Sequence, residues 1–193
     1  KAGVKGLLSG GKRFDRSIKG TDYENLDLLP ADFSYRNFDI GLGEAKRPTE
    51  RLRRVLEPYA DEYDIIFLDC PPNVNIVAEN VFHAADEIIV PVVPSTLSAR
   101  TFEKLLGFLA KKGYGTHKVL AFFSMVEMRK NLHRSIMSSM SRDFTGILKS
   151  HIPYMSEIER RGLSREPVPA LSPASPAAQA YRRLWNELRA LIF

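Results

Sequence analysis

One cysteine, Cys70, and one tryptophan, Trp185, stand in a chain of 193 residues. A single cysteine excludes an internal disulfide framework and any cysteine-rich metal site. No run approaches the ~18 consecutive apolar residues that a helix needs to cross a membrane, so no membrane partner is expected. The opening Lys1–Gly6 has no apolar stretch of signal-peptide type. His83, His117, His133 and His151 are scattered, with no i, i+4 pair and no carboxylate at ligand spacing, so a zinc centre is not expected. Cys70 has no histidine nearby and is not expected to act as a nucleophile. What is present is ordinary for a cytoplasmic globular protein. The 44% hydrophobic and 26% charged residues suffice for one α/β domain, residues 1–193, with a sizeable core.

Charge is spread unevenly. The net charge is +5, yet Arg100 to Arg165 alone carries thirteen Lys and Arg against five Asp and Glu, and the remainder is net acidic. Such a segment suits a polyanion partner, although a solvated helix face would look the same.

Residues 1–25 are rich in Gly, Lys and Arg without clear period, which predicts loop with a helical turn near Arg16–Ile18. Leu26–Pro30 predicts a short strand, and Pro48–Tyr63 a helix that kinks or ends early at Pro58. From there strands and helices alternate. Helices are predicted over Ile76–Ala85, Ser98–Lys112, Leu132–Met140 and Ala177–Ile192, and strands over Glu87–Val93, Lys118–Val126 and Gly146–Ile152. The last helix places Tyr181, Leu184, Trp185, Leu188 and Leu191 on one face. Ser95, Thr96 and Ser98 are placed to cap the second of these helices. Met125, Met128, Met137 and Met140 fall at positions where methionine fills core gaps. Alternation at this spacing predicts an α/β, doubly wound, mostly parallel sheet.

The most informative run is Tyr63-Asp-Ile-Ile-Phe-Leu-Asp-Cys-Pro-Pro72. Ile65–Leu68 predicts a strand buried on both faces. Asp69 ends it and two prolines prevent its continuation. A carboxylate at the carboxyl end of a parallel strand lies where open α/β sheets bind ligands, and nucleotide triphosphatases place an Mg²⁺-side carboxylate in this way. An ordinary turn capped by Asp is the plainer alternative.

Together with Ala84–Ser95, Leu97–Leu106, Phe123–Arg129, Pro167–Pro169 and Ala178–Tyr181, this run resembles the ParA/MinD family of deviant-Walker P-loop ATPases, from about Leu26 to the last helix. The resemblance implies a P-loop NTPase-like fold with ATP and Mg²⁺ as cofactors. Asp69 would hold the Mg²⁺ water shell and help orient the attacking water. Pro71, Pro72 and Asn73 would form the switch that senses the γ-phosphate. Ser124, Met125 and Glu127 match the start of the base-binding loop, and Pro153 the proline whose loop covers the other face of the adenine. Two departures weaken base and DNA assignments: Tyr154-Met155-Ser156 replaces a polar, basic stretch, and Glu127 stands where Asp is usual. Arg129, Lys130 and Arg134 are the candidate DNA-backbone contacts. The family further implies a homodimer around nucleotide, non-specific DNA binding, a ParB-like stimulator, and a cytoplasmic, nucleoid-associated location.

One half of the expected site is missing. Gly6-Leu-Leu-Ser-Gly-Gly11-Lys12 fits G-x-x-x-x-G-K, but Arg13 replaces the metal-binding hydroxyl and too few residues precede Gly6 for a launching strand. The run is therefore read as a decoy, and the sequence as one that starts after the family's P-loop strand. Without that strand, Ile65–Leu68 and its neighbours would expose apolar edges. Without a phosphate-gripping Lys, ATP hydrolysis by the chain itself is expected to be negligible, and its standing as an enzyme stays open. So do two rival functions: an ATP-dependent amide ligase of the cobyrinic acid a,c-diamide synthase type, and a scaffold that has lost its nucleotide.

Overall fold

Three apolar stretches between Ile88 and Pro153 pair as parallel strands in the computed structural model, which describes residues 3–33, 37–70, 74–159 and 166–193. Residues 1–85 and 86–193 each form a compact unit.

The first unit is mostly short helices. Helix α1 (Gly3–Ser9) and the single turn α2 (Lys12–Asp15) occupy the region where the sequence predicts loop and a turn near Ile18. Strands β1 (Lys19–Gly20) and β2 (Asp27–Leu28) make a two-rung antiparallel hairpin. Helices α3 (Phe38–Gly43), α4 (Arg51–Leu56) and α5 (Ile76–Ala84) follow. The α4 helix tightens into a 3-10 turn at Glu57–Tyr59, because Pro58 supplies no N–H to continue an α-helix. Leu7, Phe14, Val55 and Tyr59 form its core. Asn80 is fully buried and fully bonded: its amide donates to Pro48 O (2.6 Å) and Ile76 O (2.8 Å) and accepts from Leu52 N (3.1 Å). These three hydrogen bonds tie α5 to α4 and the residues just before it, and offset the cost of burying an amide.

The predicted strand at Ile65–Leu68 does not form. The segment makes no ladder with any described strand. Ile66 is 39% and Phe67 70% exposed, against the expectation of burial on both faces. Without a paired strand beside it the segment has no ladder partner; Leu68 O accepts instead from the Cys70 thiol at 3.3 Å.

The second unit holds β3 (Ile88–Val92), β4 (Val119–Val126) and β5 (Ile147–Pro153) in the order β3-β4-β5, all parallel. The register runs from Ile88 opposite Val119 to Val92 opposite Phe123, and ends with Val126 opposite Pro153. Helix α6 (Thr96–Lys112) starts at Ser95, whose hydroxyl accepts from Ser98 N, and stops at Gly113 in the left-handed region. Helix α7 (Asn131–Asp143) connects β4 to β5. After α8 (Val168–Leu171), helix α9 (Pro176–Ile192) lays Ala180, Leu184 and Leu188 on Leu148 and Ile152, with Ile89, Leu120 and Phe122 packed alongside. Val119, Ala121 and Phe123, which point to the opposite face by the period of two, are also buried. Both faces of the sheet are therefore covered, as a parallel sheet requires. Trp185 and Leu191, expected inward on α9, are exposed, while Ala177, Ala178, Ala180, Leu184 and Leu188 are its buried positions.

Gly146 precedes β5 with φ at 79°, and a Cβ there would lie 2.3 Å from Val119 O. Only glycine lets the two strands start this close. The outer edge of β5 is closed by Glu187 of α9, whose two oxygens accept from Lys149 N and Ser150 N at 2.7 Å each. A carboxylate on these amides blocks an edge that could pair with another chain.

Candidate functional site at the carboxyl rim of the sheet

Parallel strands all end at one rim, and ligands of open α/β folds bind there. At this rim Ser124, Met125 and Glu127 from the end of β4 meet Pro153 from the end of β5, so four of the sequence-predicted residues come together. Tyr154 N donates to Val126 O (3.0 Å) and carries the pairing one residue past the sheet.

The end of β4 is irregular. Register shifts occur between Phe123 and Val126. Met125 adopts φ +56°, left-handed backbone that costs an ordinary L-residue roughly 1–2 kcal/mol. The irregularity turns the Met125 side chain outward, where it is 47% exposed, and Met128 is 51% exposed in the next turn. These two depart from the core role that their spacing predicts, while Met140 is buried as expected.

Helix α7 grips the β4–α7 loop. The buried His133 accepts at Nδ1 from Glu127 N (3.1 Å). Arg134 donates from Nη1 to Met128 O (2.7 Å) and from Nη2 to Asn131 Oδ1. Lys130 N donates to Glu127 O (3.0 Å), and the Lys130 ammonium pairs with the Glu127 carboxylate. Of the three candidate DNA contacts, Lys130 and Arg134 are thus engaged inside the loop, and Arg129 is exposed. Sequence reasoning missed the roles of His133 and Arg134. Their only signal is a position in the first turn after a strand, which apolar periodicity does not weigh. On the β5 side, the Tyr154 hydroxyl donates to Glu159 Oε2 (3.2 Å), and this bond and its charge raise the phenol above its ordinary value.

Asp69 belongs to the first unit. It is exposed just after the unpaired Ile65–Leu68 segment, not at the end of a paired strand. Partial burial and the Asp69 carboxylate hold the Cys70 thiol above its ordinary range, which disfavours a thiolate nucleophile. Pro71, Pro72 and Asn73 lie outside the described residues. Among the described residues no group of three or more His, Cys, Asp or Glu is placed to hold a metal by itself. Among the described residues the Gly6–Lys12 run lies on α1, the Gly10–Gly11 turn and the start of α2, a helix–turn–helix and not the strand–loop–helix context of a phosphate loop.

The sequence model of an AAA-domain family matches residues 4–122. The sporulation initiation inhibitor protein Soj of Bacillus subtilis (strain 168) is 28% identical over 178 residues, covering 90% of this chain and 70% of its own length. The chromosome partitioning protein ParA of Caulobacter vibrioides (strain NA1000 / CB15N) is 27% identical over 184 residues, covering 90% and 67%. Among solved structures, a plasmid partition protein of Borrelia burgdorferi B31 bound to AMPPNP superposes with a TM-score of 0.81 at 16% identity, over 100% of this chain and 75% of that one. Cobyrinic acid a,c-diamide synthase of Mycobacterium smegmatis, with bound ATP analogue and magnesium, reaches 0.67 at 21% identity over 85% and 74%. The structural likenesses establish a shared P-loop NTPase-like fold. No described helix is long and apolar enough to cross a membrane. With its sequence model matched over more than half of the residues, the chain belongs to the AAA-domain family, among the ParA-like partitioning ATPases.

Proposed function

We propose that this chain is a partitioning ATPase of the ParA type that binds ATP with Mg²⁺, dimerises around the nucleotide, binds DNA without sequence preference and is switched by a ParB-like partner. A cytoplasmic, nucleoid-associated location goes with that reading. The observation that carries it is the convergence of Ser124, Met125, Glu127 and Pro153 at one carboxyl rim of a parallel sheet in a chain of this family.

Asp69, in the first unit, is assigned to Mg²⁺ by the family resemblance alone. Mg²⁺ is commonly held by one or two carboxylates, waters and substrate phosphates, without an all-protein cage. An exposed single carboxylate fits that mode, and the lack of a larger acidic cluster among the described residues is no obstacle. When bound, Mg²⁺ would neutralise charge developing on the β- and γ-phosphate oxygens. Asp69 would accept hydrogen bonds from metal-bound water, and Pro71–Asn73 would respond to the γ-phosphate. At the rim, Met125 and Met128 offer apolar, polarisable surface to a base, and Ser124 offers a hydroxyl. Arg129 would contact DNA phosphates through charge alone, a salt-sensitive interaction. Lys12 is not assigned to the phosphates, since its run follows a helix. The likeness to the amide-forming synthase is one of fold and favours no amide transfer here.

Titration of the full native protein with a fluorescent ATP analogue tests this reading. Binding is expected to tighten with Mg²⁺, and Asp69→Asn to remove at least tenfold of the Mg²⁺-dependent gain, about 1.4 kcal/mol. An Asp69→Asn protein with an undiminished Mg²⁺ response would overturn the assignment. For DNA, Arg129→Glu is expected to weaken binding and lower the slope of log affinity against log salt by about one to two. An unchanged slope removes Arg129 from the interface.

A further inference from the structure

We propose that His133 is a positioning residue that sets the shape of the β4–α7 loop, and through it the selectivity of the rim for a nucleobase. The inference rests on the nucleotide reading above and adds a residue that touches neither base nor phosphate.

The geometry is specific. Glu127 N is the first amide after β4, and it donates to Nδ1 of a side chain that is only 8% exposed. An imidazole that accepts at Nδ1 must carry its proton on Nε2, so one tautomer is selected. Met128 O, the next carbonyl but one, is taken by Arg134 Nη1 at 2.7 Å, and Glu127 O by Lys130 N at 3.0 Å. Successive backbone groups of the loop are therefore claimed by α7 or by the turn leading into it. This hold sits directly after the left-handed Met125 and the register break of β4. It keeps Met125 and Met128 turned to solvent, where Leu132 and Tyr154 are exposed as well, instead of letting the loop relax and bury the methionines. An apolar surface maintained at the rim is what a flat, stackable base would use. Losing the acceptor frees an amide that must find another partner, and the loop loses the constraint that fixes where the methionines point.

The test measures the ratio of affinities for ATP and UTP in full native protein, for wild type, His133→Leu and His133→Asn. Asparagine can place an oxygen near the Nδ1 position and leucine cannot. The inference expects the ratio to fall at least fivefold in His133→Leu and to stay within twofold of wild type in His133→Asn, with thermal midpoints close to one another. A His133→Leu protein that discriminates like wild type overturns it. So does a His133→Asn protein that fails like His133→Leu while remaining folded. A wild type that binds no nucleoside triphosphate sinks the functional reading itself, a different result. Independently of any variant, imidazole ¹³C and ¹⁵N shifts of wild type should report the Nε2–H tautomer for His133. An Nδ1–H tautomer there contradicts the proposal even if His133→Leu does not fold.

Discussion

Ile65-Ile66-Phe67-Leu68 and Ile88-Ile89-Val90-Pro91-Val92 are near-equivalent as sequence, yet they take opposite structural roles. Each is a short apolar run rich in β-branched residues and bounded by turn residues. The second run pairs along its whole length with Val119–Phe123 and helps build the core under α9. The first makes no ladder and leaves Phe67 mostly in water. Strand propensity describes what a pleated, half-buried surface accepts, not what a backbone does alone. A strand exists only when a neighbour supplies its hydrogen bonds, and that neighbour is encoded elsewhere in the chain.

Core truncations should give the largest contrast. Phe123→Ala removes a ring that is almost fully buried on β4 and is expected to cost about 3–5 kcal/mol in denaturant unfolding. Phe67→Ala is expected within about 0.5 kcal/mol of wild type, as for exposed sites generally. If the two cost the same, the 65–68 segment is packed in solution and the contrast is wrong.

A smaller effect should appear at the guarded edge of β5. Burial alone would push the Glu187 carboxyl up, but hydrogen bonds from Ser150 and from the Lys149 backbone, with the Lys149 charge, outweigh it and leave it below its ordinary 4.5. A depressed carboxyl contributes stability that is complete above the unfolded value and is lost as pH falls through the folded one. Unfolding followed from pH 6 to pH 3 should therefore show wild type losing more stability below 4.5 than Glu187→Gln does. The variant should also associate more readily at neutral pH through the uncovered edge. Parallel pH curves for the two proteins would remove Glu187 from that role.

Much of the second unit was legible from spacing. The runs at 88–92, 119–126 and 147–153, the Ser95 cap and the inward Leu184 and Leu188 all follow from local chemistry, since apolar period and capping act within a few residues. Gathering of Ser124, Glu127 and Pro153 at one rim follows from parallel strand order alone. The failures share a different cause. Outward Met125 depends on a left-handed backbone and a register break, exposed Trp185 on which residues of α9 meet the sheet, and the unpaired 65–68 run on a partner strand. His133 and Asn80 look like ordinary helix residues until the amides they serve, at Glu127 and Leu52, are brought beside them by folding. Short-range pattern specifies elements, while these sites depend on contacts between them.

Hydrogen exchange of the full native protein, with and without Mg²⁺ and an ATP analogue, tests most directly whether the rim is the nucleotide site. Amides of residues 124–130 and 154–155 should slow at least fivefold on ligand addition, while those in the middle of α9, far along the chain from the rim, should keep their rates. Protection confined to other segments, with the 124–130 amides unchanged under saturating ligand, would contradict it.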